Sequence, residues 1–242
     1  MRASLLLAGS LVLTVLCWGL YGPVLQSGQV GMSLDGSVAR LRPFVCVGLA
    51  YFLIGVIVPS IWLHLRGEKG DWTATGIIWS VAGGALGAIG ALDIILAFTF
   101  GGAPIYVMPL VFGGAPVVNA FLTIYLAGKV REINPLFLAG LIMVILGAVT
   151  VLVTAPHAVT AAADGGLWAW ALRLLAIALT IVSWGAYGPV LHKGQAAMHH
   201  SRLRSLICVG AAYFVIAVIV PYFFIGEMGE ESSYARLGTI WA

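Results

Sequence analysis

Charge is what this sequence has least of. Lys, Arg, Asp and Glu make up 9% of its 242 residues, against about 25% in a soluble domain. With 61% of residues hydrophobic, the chain has no polar coat to offer water, and lipid is its solvent. The net charge of +3 comes from scattered loop cations. No basic stripe with interleaved aromatics exists, which argues against a nucleic-acid partner. Cysteine is nearly missing too. Cys17, Cys46 and Cys208 all fall in apolar runs, at spacings that fit neither a disulfide framework nor a zinc site, and read as buried thiols. No Ser-His-Asp set, paired carboxylates or metal-ligand spacing appears within the apolar runs. An enzyme, a cofactor or a metal therefore has no positive support. His192, His199 and His200 cluster with Lys193 in one basic loop and read as solvated.

Long apolar runs are what the chain has in abundance. A spanning helix needs about 20 mainly apolar residues, and seven segments qualify. They run Leu5–Gln26, Pro43–Leu65, Gly76–Phe100, Pro104–Ala127, Pro135–Thr154, Leu167–Leu191 and Ser205–Ile225. Their continuous apolarity excludes the alternating strands of a membrane barrel. The expected class is an all-α, multi-pass integral membrane protein. Met1-Arg2 and the apolar Ser4 to Leu16 resemble a secretory signal. The same helix recurs inside the chain, however, so it reads as the first span.

That recurrence organises everything else. Cys17-Trp-Gly-Leu-Tyr-Gly-Pro-Val-Leu25 returns as Ser183-Trp-Gly-Ala-Tyr-Gly-Pro-Val-Leu191, and 10 of 16 positions to Met32 and Met198 are identical. Chance predicts roughly one. A second block repeats as well: Arg40-Leu-Arg42, Cys46-Val-Gly48, Tyr51-Phe52 and Pro59 return as Arg202-Leu-Arg204, Cys208-Val-Gly210, Tyr213-Phe214 and Pro221. Self-similarity on this scale marks a duplicated unit. The division expected is a first five-helix repeat over 1–154, a linker over 155–166 and a second repeat beginning at 167–242. Five crossings separate the copies, so the second is expected to run inverted through the bilayer. Gly238-Thr-Ile-Trp-Ala242 aligns with Gly76-Ile-Ile-Trp-Ser80 at the head of the third helix. A complete duplication would have ten helices, of which seven are present here; a natural seven-helix protein is the alternative. Arg2, Arg66, Lys69, Lys129, Arg131, Lys193, Arg202 and Arg204 fall on the side of the N-terminus, and Arg40, Arg42, Arg173 and Arg236 on the other. The positive-inside rule makes the N-terminus cytoplasmic and suits a bacterial inner membrane.

Inverted repeats build alternating-access sites at the bilayer midplane, so candidate residues are sought there. Pro23 and Pro189 lie inside helices, where each frees the carbonyl four residues back, at Gly19 and Gly185. Tyr21, Tyr187, Trp18 and Trp184 flank them. Asp93 is the carboxylate placed well inside a span, where such residues usually face a cavity or a partner. Counting through the Gly101-Gly-Ala103 turn puts Phe112 at its depth, and Pro116 frees the Phe112 carbonyl. Asn119 is the next polar candidate. Gly83, Gly84, Gly87 and Gly90 read as a close-packing face. Arg173, early in its helix, is expected to snorkel to the surface.

Pro104-Ile-Tyr-Val-Met-Pro-Leu110 through Ala127, followed by the Gly-rich Leu136 to Val153, resembles the drug/metabolite transporter superfamily, in its EamA-like branch. Lys129 stands where that family often has glutamate. The Trp18-Gly19 and Pro23 pattern is also similar to the glucose- and rhamnose-type sugar carriers. The resemblance implies ten helices in two inverted five-helix repeats, and transport or export of a small metabolite, with or without protons. The other readings are a non-transporting membrane subunit or scaffold assembling through the Gly-rich third helix, a homodimer included, or a lipid-carrier flippase.

Overall fold

In the computed structural model the chain is helical, and the structure describes residues 2–33, 38–130, 133–154, 166–224 and 238–239. Most of the 155–166 linker, the acidic 226–237 run, Arg131 and Arg236 lie outside the described residues. Seven described helices are long and apolar enough to cross a bilayer. They are α1 (Arg2–Met32), α2 (Leu41–Arg66), α3 (Ala74–Thr99), α4 (Pro104–Leu126), α5 (Pro135–Thr154), α6 (Gly166–Ala197) and α7 (Arg202–Phe223). This makes the chain a multi-pass helical membrane protein in architecture.

Both copies of the Trp-Gly-x-Tyr-Gly-Pro helix run about six residues past the apolar edge, to Met32 and Ala197. Hydropathy follows the hydrocarbon layer, while a helix continues wherever its polar side chains find partners. Gln29 Nε2 donates to Thr99 Oγ1 at 2.9 Å, and Ser27 Oγ to the Pro23 carbonyl at 2.9 Å. Pro23 and Pro189 sit within uninterrupted helix.

The glycines of α3 set the core. A methyl on Gly84 would fall 2.7 Å from the Val209 Cα of α7, and one on Gly83 would be 3.4 Å from the Leu191 Cβ of α6. Small residues thus let three backbones approach closely. By contrast, α5 buries none of its side chains and touches α4 through Phe121 and Phe137, with ring centroids 5.7 Å apart.

Contact registers give the helix directions. Gly48 faces Ala217 while Gly55 faces Gly210, so α2 and α7 run antiparallel. Gly83 faces Leu191 and Gly90 faces Trp184, so α3 and α6 do likewise. Gly114 faces Ile181 and Gly185 faces Val118, so α4 and α6 are parallel. Gly22 meets Met108 and Trp18 meets Phe112, so α1 opposes α4 and therefore also α6.

Equivalent residues of the duplicated blocks meet one another. Tyr51 stacks on Tyr213 with centroids 3.6 Å apart and planes 1° apart. Phe52 meets Phe214 at 4.5 Å, and Trp18 meets Trp184 at 5.3 Å. The helical pair Gly238–Thr239 places Gly238 against Met32, as Gly76 lies against Met198.

One shared irregularity follows the stacked rings. Leu53–Ile57 and Val215–Ile219 are π-helical turns at corresponding positions. The Val58 N–H bonds the Leu53 carbonyl and the Val220 N–H bonds the Val215 carbonyl, each five residues back. Pro59 and Pro221 come next in sequence. In a tight α turn their rings would strike the carbonyls of Gly55 and Ala217, and a wider turn moves those carbonyls aside.

Arg173 departs from expectation. It is 2% exposed and does not snorkel. It donates to the Tyr106 hydroxyl at 2.8 Å and the Gly101 carbonyl at 3.3 Å, because the turn between α3 and α4 presents both acceptors beside it.

At the opposite end, Glu68 caps α7. Its carboxylate accepts from the Ser201 hydroxyl and from the Arg202 N–H at 3.0 Å and the Leu203 N–H at 3.2 Å, with Arg204 at 3.8 Å. Partial burial pushes this carboxyl up, but the three hydrogen bonds and the Arg204 charge together outweigh it and hold it below the ordinary glutamate value. A folded-state value below the unfolded one adds stability above the unfolded value of about 4.3. That stability is lost as pH falls through the folded value. Thermal midpoints measured from neutral pH downward are expected to show this loss in the wild type. In Glu68→Gln the midpoint is expected to be lower at neutral pH, with a shallower acid decline.

Candidate functional site

Seven aromatic rings gather where the duplicated helices meet. Their spacing follows from the sequence: Trp18 and Tyr21, three apart, share one face of α1, and Trp184 and Tyr187 repeat this on α6. Trp18 packs edge-on against Trp184 and against Phe112 of α4, with centroids at 5.3 and 5.5 Å. Tyr21 meets Trp184 at 5.8 Å. The stacked pair Tyr51 and Tyr213 enters from α2 and α7.

These rings surround a cavity of about 400 Å³, lined by Trp18, Tyr51, Gly87, Phe112, Ala115, Pro116, Asn119, Trp184, Tyr187 and Tyr213. Its size falls in the range of small-molecule sites. Glycine makes the room on α3. The Trp184 indole lies over Gly90, where a Cβ would overlap it, and its N–H donates to the Gly87 carbonyl at 3.1 Å. That bond fixes the indole plane and uses up its donor. Asn119 brings the cavity's amide group, with Nδ2 beside Gly188.

The residues singled out from sequence divide by place. Trp18, Phe112, Pro116, Asn119, Trp184 and Tyr187 line the cavity. Tyr21 packs behind the two indoles. Asp93 is 6% exposed on α3, outside the lining, and its Oδ2 has no hydrogen-bond partner among the described residues. Gly185 and Pro189 are buried, the former against Val118 and the Ala115 carbonyl. Gly19 and Pro23 face outward, with nothing within 4 Å of a Cβ built on Gly19. The two copies of the motif thus sit in unlike surroundings.

Tyr51 and Tyr213 were not singled out as site residues. The signal for them was in the second duplicated block, where Tyr-Phe recurs 162 positions later. Gly87, read from sequence as packing, also forms wall, and Ala115 is small enough to leave space beside it.

No metal-binding group of three or more His, Cys, Asp or Glu side chains occurs among the described residues. No family model matches the chain, and neither curated proteins nor solved structures give a match.

Proposed function

We propose that the chain is a secondary transporter or exporter of a small metabolite, working by alternating access around the aromatic cavity. The observation that carries this reading is that equivalent residues of the two repeats meet each other in the lining of one cavity. Trp18 meets Trp184, and Tyr51 meets Tyr213. A twofold relation requires reciprocal contacts. The pairs Gly48–Ala217 with Gly210–Gly55, and Met32–Gly238 with Met198–Gly76, have that form. Together with the opposed directions of α1 and α6 they support an inverted repeat, in which two half-gates open in turn. The resemblance to the EamA-like branch agrees, and the excess of basic residues on the N-terminal side supports a cytoplasmic N-terminus, in keeping with a bacterial inner membrane. The scaffold reading loses its proposed surface, since the glycine face of α3 is occupied by α6 and α7.

One observation favours a lipid-carrier flippase as the second reading. Trp18 lines the cavity yet is 41% exposed on α1, as a cavity with a lateral opening toward lipid would require.

Accessibility tests the mechanism. Cys17, Cys46 and Cys208 are replaced by alanine and Ala115→Cys is introduced in the cavity wall. An impermeant maleimide added to right-side-out and to inverted vesicles is expected to label Ala115→Cys from both faces. Labelling from one face alone would remove alternating access. In the same background, Val38→Cys and His200→Cys follow the two Tyr-Gly-Pro helices and are expected to label from opposite faces. A common face would end the inverted arrangement. Movement of headgroup-labelled lipid in proteoliposomes would select the flippase instead.

A further inference from the structure

We propose that this cavity selects an organic cation, in particular a quaternary or tertiary ammonium of modest size; the inference rests on taking the cavity as the transporter's substrate site. The argument begins with what the walls present. Six of the ten lining residues are aromatic, and none is Lys, Arg or His. The face of an aromatic ring is its negative pole, and several rings around one space attract a cation without requiring a formal counter-charge. Trp18 and Phe112 meet at 84°, Trp18 and Trp184 at 73°. Trp18 thus stands across Phe112 and Trp184, which lie 26° from parallel, and the stacked Tyr51–Tyr213 pair closes another part of the lining.

The remaining polar groups have the same sign preference. Phe112 and Pro116 both line the cavity, and a proline at 116 has no N–H to offer the Phe112 carbonyl four residues back. The Trp184 N–H, a donor that an anion would use, is already spent on Gly87. An anion is left with the Asn119 amide and phenol hydroxyls, which is thin compensation for dehydrating a charge. A sugar is disfavoured for another reason. It brings several hydroxyls, each needing a partner when buried, to a lining with one amide and three phenols. A quaternary ammonium has no hydrogen bonds to satisfy. Its methyl or benzyl groups suit apolar walls, and its charge suits the ring faces. Asp93 adds a buried carboxyl on α3, six residues beyond Gly87 and so about 9 Å along the axis.

The test uses the wild-type protein in lipid nanodiscs, with empty nanodiscs as the blank. It is titrated with benzyltrimethylammonium and, separately, with neopentylbenzene, which has the same shape with carbon in place of the charged nitrogen. Tryptophan fluorescence reads the binding. Saturable binding of the ammonium, about tenfold tighter than that of the neutral isostere, is expected. Trp18→Leu is expected to weaken ammonium binding about tenfold and neopentylbenzene binding far less, while Trp18→Phe, which keeps a ring, restores most of it. Equal affinities for the two ligands in the wild type, or ammonium binding unchanged in Trp18→Leu, would overturn the assignment. Counterflow of the ammonium in proteoliposomes is read separately. Specific binding without counterflow supports the cation site and removes transport. Glucose counterflow without ammonium binding removes the cation site and leaves transport standing.

Discussion

Gly210→Val is expected to lower the thermal unfolding midpoint more than any other single substitution considered for this chain. A Cβ at Gly210 would lie 2.7 Å from the Val56 Cγ2, 2.9 Å from the Gly55 carbonyl carbon and 3.0 Å from the Tyr51 oxygen. Two of those neighbours are main chain in α2 and cannot rotate away. The helices must separate, and separation unstacks Tyr51 from Tyr213. Overpacking a core by even a few methylenes costs about 1–3 kcal/mol, and a valine against backbone falls at or above the top of that range. Gly9→Val is the matched control, because nothing lies within 4 Å of a Cβ there. It is expected to change stability by no more than about 0.5 kcal/mol. Unfolding in detergent, followed by near-ultraviolet circular dichroism, reads both effects. Equal midpoints for the two variants would show that α2 and α7 are not in this contact.

Asp93→Leu is expected to separate stability from activity. The carboxyl is buried, and Oδ2 accepts no hydrogen bond from any described residue. An unsatisfied buried polar group costs about 1–3 kcal/mol, so an apolar replacement of similar size is expected to raise the melting midpoint. If the group serves only packing, uptake survives. A part for Asp93 in the transport pathway requires the opposite. Carboxyls within membrane spans are retained at cost where they serve a pathway, and uptake is expected to fall at least about tenfold in the more stable protein. Such a trade of stability for function is common at working sites. Asp93→Asn then separates charge from shape. Uptake that loses its dependence on an imposed pH gradient in Asp93→Asn would assign proton coupling to this carboxyl, and an unchanged gradient dependence would exclude it. A stable Asp93→Leu protein with full uptake would leave Asp93 no functional part.

The spans were legible because apolar length is a property of the sequence alone, and so was the duplication, since identity at fixed offset needs no geometry. The meeting of the copies was not. That Tyr51 lies flat on Tyr213 depends on the crossing of two helices 162 residues apart in sequence, and local pattern says nothing of crossings. The π turns escaped for a related reason. Pro59 warns of a disturbed helix, but whether it kinks, ends or widens the turn depends on its neighbours. Arg173 reads as a surface cation in the sequence because its position in the chain is near a helix end. Its acceptors, Tyr106 and Gly101, come from a distant turn. For Asp93, sequence counting gave depth but not direction, and direction decides whether a side chain lines a cavity or stands behind its wall.

The matched pairs bear on which substitutions a self-pairing unit can tolerate. In an unduplicated unit that pairs with its own copy, any change at the tyrosine of the stack alters both rings at once, and only residues content to touch their own likeness can persist there. Two units joined in one chain are free of that restriction. Neighbouring positions have used the freedom: Gln26 and Ser27 correspond to His192 and Lys193. Tyr51 and Tyr213, Phe52 and Phe214, and Trp18 and Trp184 have not diverged. The copies also differ beside these pairs, with Gly55 answering to Ala217 and Leu20 to Ala186, so the matched rings are what an exchange of the two halves would leave unchanged.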